Sequence, residues 1–113
     1  MKTVIFHNPK CGKSRAALIL LKEQNQDVEI VEYLKDVITE KDIKKLLTIL
    51  NLKPIQIIRV KEEVFKEFKN KELTDAQYIE LMLKFPILIE RPIVIKGNKA
   101  VIGRPPQLIL DIL

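Results

Sequence analysis

Thr3-Val4-Ile5-Phe6 opens the chain with a run of β-branched and aromatic residues that reads as a buried strand. The next seven residues, His7-Asn8-Pro9-Lys10-Cys11-Gly12-Lys13, are loop formers. Ser14 is placed to cap a helix whose apolar positions Ala17, Leu18, Leu20 and Leu21 recur at helical spacing, with an end near Gln24-Asn25. Val28, Ile30 and Tyr33 alternate imperfectly with Glu29 and Glu32, which predicts a second strand over 28–33. A right-handed βαβ crossover makes that strand parallel to the first.

Helical patterning dominates the middle of the chain. Thr39 with Asp42 forms a capping signature ahead of the stripe Ile43, Leu46, Leu47 and Leu50, which stops before Asn51 and Pro54. The stretch 54–59 fits no single element. Val64, Phe65 and Phe68 predict a short helix, and Thr74-Asp75-Ala76-Gln77 is a capping box for another that runs through Phe85. Beyond Pro86, Ile93-Val94-Ile95 and 99–102 flank Lys96-Gly97-Asn98, a hairpin signal with Gly and Asn available for positive φ. Pro105 is then expected to open a last helix that ends at Leu113.

The order βαβ, helices, ββα predicts one α/β domain over 1–113 with a mixed four-stranded sheet and a helical insertion at roughly 37–85. In such a sheet the crevice beyond the carboxyl end of the first strand is the expected ligand position. Cys11 stands at that crevice.

Composition narrows the chemistry. The chain has 113 residues, 47% of them hydrophobic and 31% charged, as a globular domain does. Its longest apolar run, Ala16–Leu21, is far shorter than the ~20 residues of a membrane span, and no signal-peptide core is visible, so no membrane association and a cytoplasmic location are expected. The net charge of +5 comes with only 5% aromatic residues and no basic run interleaved with them, which argues against a nucleic-acid partner. Of the 20 basic residues only Arg15, Arg59, Arg91 and Arg104 are arginines. Lysine is the default surface cation here, and a planar guanidinium fork matches a tetrahedral oxyanion better than an ammonium does.

Cys11 is the sole cysteine, which excludes an internal disulfide. A cysteine just ahead of a helix faces the positive end of the helix dipole and unpaired N–H groups, both of which favour the nucleophilic thiolate. The Gly12 or Ser14 N–H is available to the sulfur, and His7 and Arg15, four residues to either side, are expected to add positive charge. His7 alone reads equally well as a capping or surface residue. With no second cysteine or histidine, a structural zinc site is excluded and no metal is expected. A phosphatase loop of the Cys-x5-Arg type fails as well, because Ala17 occupies the arginine position. Arg91-Pro92 and Arg104-Pro105 each set an arginine before a proline, in extended geometry that suits either a ligand in the crevice or an ordinary solvated cation. One nucleophilic thiol without a resolving partner needs an external thiol to complete a redox cycle.

His7-Asn8-Pro9-Lys10-Cys11-Gly12-Lys13-Ser14-Arg15 resembles the specific pattern His-Asn-Pro-x-Cys-x-x-Ser-Arg of the glutaredoxin-dependent arsenate reductase family, grouped with the Spx and YffB proteins. The similarity continues through Ile58-Arg59, the run Phe85-Pro86-Ile87-Leu88-Ile89-Glu90-Arg91-Pro92-Ile93-Val94, Gly103-Arg104-Pro105 and Leu110-Asp111-Ile112-Leu113, nearly the whole chain. The resemblance implies a thioredoxin-like fold with helices on both sides of the sheet and a cis Arg91-Pro92 bond beside the nucleophile. It implies that Cys11 attacks arsenate or a similar oxyanion, that Arg59, Arg91 and Arg104 hold the oxyanion, and that His7 keeps the sulfur ionised. Gly12, Ser14, Arg15 and Pro92 are the implied substrate-binding residues. No bound cofactor is implied. Glutathione serves as thiol co-substrate and glutaredoxin as the final reductant.

Two alternatives stay open. The monothiol Cys-x-x-Ser arrangement also suits a glutathione-dependent thiol reductase acting on glutathionylated proteins. The same architecture serves the Spx transcriptional regulators, although Ser14 stands here where those often carry a second cysteine.

Overall fold

Pairing between the two ends of the chain organises the sheet. In the computed structural model, which describes residues 2–113, strand β1 (Thr3–Phe6) lies between β2 (Val28–Val31), its parallel partner, and β3 (Ile93–Lys96), its antiparallel one. Strand β4 (Lys99–Ile102) completes the order β2-β1-β3-β4 as the hairpin partner of β3. Gly97 supplies the one positive φ of that turn, 62°. The expected mixed four-stranded sheet is therefore present, with the parallel pair and the hairpin where the patterning put them.

The chain gathers into two compact units: the stretch up to Asp36 together with Arg91–Leu113, and Val37–Glu90. In the first, helix α1 (Gly12–Glu23) buries Ala17 and Leu21 with Ile5, Val94 and Ile109, all with no exposed surface. Ile5 and Val94 are cross-strand partners, so they share a face of the sheet. Full burial of each such aliphatic side chain stabilises by roughly 1.5–3 kcal/mol. The closing segment winds as a 3-10 helix over Pro106–Ile112. Pro105, expected to open it, stays outside at φ −72° and ψ 162°, because a residue before proline is driven out of the helical region.

Two further boundaries differ from the sequence reading. Helix α1 starts at Gly12 with Cys11 as its N-cap, and Ser14 lies inside its first turn. Strand β2 ends at Val31, short of Tyr33, because the Glu32 carbonyl turns back to accept from the Lys35 and Asp36 N–H groups at 2.8 and 2.7 Å.

The second unit contains the helical segment. Helix α2 (Glu40–Leu50) has the expected Thr39–Asp42 capping box and ends on Asn51 in the left-handed region, φ 56°. It buries Ile43, Leu46 and Leu47. Helix α3 (Asp75–Lys84) has the Thr74–Gln77 capping box and buries Ile79, Leu81 and Met82. The unassigned stretch after Leu52 becomes a 3-10 helix over Pro54–Ile57, followed by extended Ile58, which bridges Ile89. The short helix around Phe65 is a 3-10 helix over Glu63–Phe68. Among the described residues no helix is long and apolar enough to cross a membrane.

Candidate active site

The loop that follows β1 is held at both ends by backbone bonds. The His7 N–H still reaches the Val31 carbonyl at 2.9 Å, as though the strand ran one residue further. Asn8 then folds the chain: its side-chain oxygen accepts from the Lys10 N–H and its carbonyl from the Cys11 N–H, both at 3.0 Å. From α1, the Ser14 hydroxyl meets the Asn8 N–H at 3.0 Å, and Arg15 Nη1 donates to the Pro9 carbonyl at 2.9 Å. The first two turns of the helix thus staple the loop that presents Cys11.

Cys11 is partly exposed, in extended geometry at φ −95° and ψ 123°. Its sulfur makes no capping hydrogen bond, so the bond expected from the Gly12 or Ser14 N–H is absent. The first turn of α1 has no acidic residue. Lys13 and Arg15 stand there although cations are disfavoured at a helix N-terminus. Among the described residues neither they nor Lys10 form a salt bridge. Gly12 is exposed, and a Cβ there would meet only Arg15 Nη2, at 3.8 Å.

His7 is buried, with 5% exposure, and its Nδ1 lies 2.6 Å from Ser14 Oγ. Loss of hydration pushes its pKa below the usual 6.5, Glu32 opposes that shift, and Arg15 and Lys22 add to it. Burial thus works against the positive charge that the sequence led us to expect of His7. Ser14 has no exposed surface, and its hydroxyl serves His7 and Asn8.

Register brings the other end of the chain to this place. One step beyond the pairs Phe6–Val31, Phe6–Ile93 and Ile93–Ile102, the residues Glu32, His7, Pro92 and Gly103 follow one another across the four strands. The Gly103 N–H donates to the Pro92 carbonyl at 2.8 Å. A Cβ on Gly103 would come within 3.1 Å of both Pro92 Cγ and Ile109 Cγ2, so a side chain there would press on the proline. Arg91-Pro92 and Arg104-Pro105 are both cis peptides; only the first was expected. Arg104 Nη1 donates to the Arg91 carbonyl at 3.2 Å. Arg91 is half-buried, and its Nε and Nη1 are buried with no hydrogen-bond partner among the described residues.

Arg59 belongs to the second unit, where its N–H donates to the Leu88 carbonyl at 2.7 Å and its Nη1 to the Glu62 carboxylate. The first unit thus holds Cys11, His7, Gly12, Ser14, Arg15, Arg91, Pro92 and Arg104. Two residues that the sequence did not offer as site residues shape these surroundings, Asn8 by building the loop and Gly103 by admitting Pro92; in the second unit, Glu62 pairs with Arg59. The Asn-Pro dipeptide is a turn signal that pointed to Asn8; nothing local marks Gly103 or Glu62. Among the described residues no cluster of three or more His, Cys, Asp or Glu side chains is placed to hold a metal.

Comparison with known proteins gives this geometry a family. The ArsC family model matches residues 6–112. The chain is 37% identical over 116 residues to an arsenate reductase of Haemophilus influenzae, a match that covers 100% of both chains. It is 40% identical over 112 residues to the uncharacterized protein YfgD of Escherichia coli, covering 96% of this chain and 94% of that one. An arsenate reductase structure from Vibrio cholerae superposes with a TM-score of 0.94 at 40% identity, over 100% of this chain and 98% of the other. The architecture is the thioredoxin-like α/β fold of these proteins.

Proposed function

The chain belongs to the ArsC family, and on that premise we propose that it reduces arsenate to arsenite with Cys11 as the nucleophile. The observation that carries the reading is Arg91. Buried guanidinium donors with no acceptor are costly unless a ligand supplies one, and those of Arg91 belong to a strand end that register sets beside the cysteine loop. A tetrahedral oxyanion offers the acceptors that such a fork matches.

The thiolate of Cys11 attacks arsenic and displaces one oxygen as water, giving a sulfur–arsenic(V) bond. Arg91 and Arg104 neutralise the oxygens that gain negative charge, as donors in an oxyanion hole do. Gly12, Arg15 and Pro92 line the approach. Glutathione then displaces a second oxygen and puts its sulfur on arsenic. Attack by a glutaredoxin thiolate on that sulfur forms a mixed disulfide and leaves the bonding pair on arsenic, now arsenic(III). Water takes the place of the Cys11 sulfur, arsenite leaves, and the thiol returns. The external thiols are required because the chain has a single cysteine, and a glutathione-dependent cycle belongs to the reducing cytoplasm.

An assay that couples arsenate reduction to NADPH oxidation, with glutathione and glutaredoxin supplied, tests the proposal. Turnover is expected in the native chain and none in Cys11→Ser. Wild-type rates in that variant would sink the mechanism. Release of glutathione from a model mixed disulfide while arsenate stays inert would replace it with a thiol reductase.

A further inference from the structure

Ser14 is fully buried in the first turn of α1, and its Oγ lies 3.0 Å from the Asn8 nitrogen and 2.6 Å from His7 Nδ1. A hydroxyl has one proton to give and two lone pairs to offer. The Asn8 amide can only donate, so it takes a lone pair. Among the described residues the hydroxyl has no third hydrogen-bond partner, and its proton is therefore satisfied only if Nδ1 accepts it. An imidazole that accepts at Nδ1 carries its hydrogen at Nε2. The opposite arrangement, Nδ1–H donating to Oγ, would leave a buried O–H without an acceptor, at a cost of about 1–3 kcal/mol.

We propose that Ser14 is a positioning residue whose buried hydroxyl fixes His7 as its Nε2–H tautomer and, through the Asn8 amide, sets the loop that presents Cys11. This differs from the substrate contact that the sequence resemblance implied for Ser14. It also gives His7 a defined part as a neutral Nε2–H donor. The charges that act on the ring are Glu32, next to it across the β1–β2 pairing, and Arg15 and Lys22 from α1. Their balance with burial leaves the ring neutral, the form able to accept at Nδ1. Only the kinetic consequence rests on the reading of Cys11 as nucleophile; the tautomer stands apart from the identity of the substrate.

His7 is the sole histidine of the chain, so 15N-histidine labelling of the full-length protein reports its two ring nitrogens without assignment. Near neutral pH the native chain is expected to show a protonated-type signal at Nε2 and an unprotonated-type signal at Nδ1. Ser14→Ala is expected to mix the tautomers, to alter the pH profile of turnover, and to lower kcat/KM for arsenate on the order of 10- to 100-fold through a displaced sulfur. An Nδ1–H ring in the native protein overturns the proposal, as does an unchanged tautomer in a folded Ser14→Ala. If that variant does not fold, the native spectrum decides alone. Absence of arsenate turnover alongside the expected native spectrum would remove the arsenate reading and leave this one in place.

Discussion

Arg91 has buried Nε and Nη1 donors with no acceptor among the described residues, an arrangement that costs stability unless a ligand supplies one. Arg91→Lys keeps the charge but loses the fork. Charge-assisted hydrogen bonds are worth about 1.5–3 kcal/mol, so KM for arsenate is expected to rise on the order of 10- to 100-fold in steady-state kinetics. Arg91→Met should leave the melting temperature unchanged or higher, since replacing a buried unpaired charge by an apolar group relieves a desolvation cost; a fall of several degrees would show the guanidinium to be structural. His7 sets a pH dependence. Its folded pKa lies below the unfolded 6.5, so between the two values the unfolded chain binds the extra proton and stability climbs with pH. The contribution is full above about 6.5 and is lost as pH falls through the folded pKa. Thermal melts of the native chain and His7→Gln should therefore converge as the pH drops from 7 towards 5.

Helix boundaries show which interactions a sequence displays and which it hides. The capping boxes at Thr39 and Thr74 were legible because the partners, Asp42 and Gln77, sit three residues away and have no competing bond. Thr39→Ala and Thr74→Ala should each cost about 1 kcal/mol in urea unfolding. Ser14 looked like a cap of the same kind, but its hydroxyl is drawn to His7, seven residues back. That bond depends on the loop path, which periodicity does not encode. The hairpin and the parallel pair could be read from β-rich runs and the Gly97 turn. Arg59 could not be seen to be engaged by Glu62, since an i,i+3 pair of opposite charges usually means a solvated helix face. Gly103 gave no local signal either, because its constraint comes from Pro92 and Ile109 in other elements. Gly103→Ala is expected to destabilise by about 1–3 kcal/mol through overpacking and to raise KM for arsenate as Pro92 shifts next to Arg91. A fully stable variant with native KM would remove that argument.

Across the whole molecule, cysteine, histidine and three of the four arginines lie in the unit built from both ends of the chain. The fold class was readable because its element order is local; the site was readable only as a set of residues, since its geometry depends on strand register. The net charge of +5 should favour encounter with an anionic substrate. Raising ionic strength from about 0.01 to 0.15 M shortens the screening length from about 30 to 8 Å. KM for arsenate is expected to increase several-fold over that range while kcat holds, and a flat response would exclude long-range attraction.

Vectorial synthesis meets this topology awkwardly. A ribosome finishes β1, α1 and β2 early, but β3, which flanks β1 on its other side, emerges only after the whole of Val37–Glu90 has been made. Until then the central strand has one open edge, and the apolar face of α1 has neither Val94 nor Ile109 to lie against. The nascent sulfur therefore has no finished surroundings until Arg91–Leu113 has been translated. The setting of the cysteine loop is thus completed late, by the arrival of that segment.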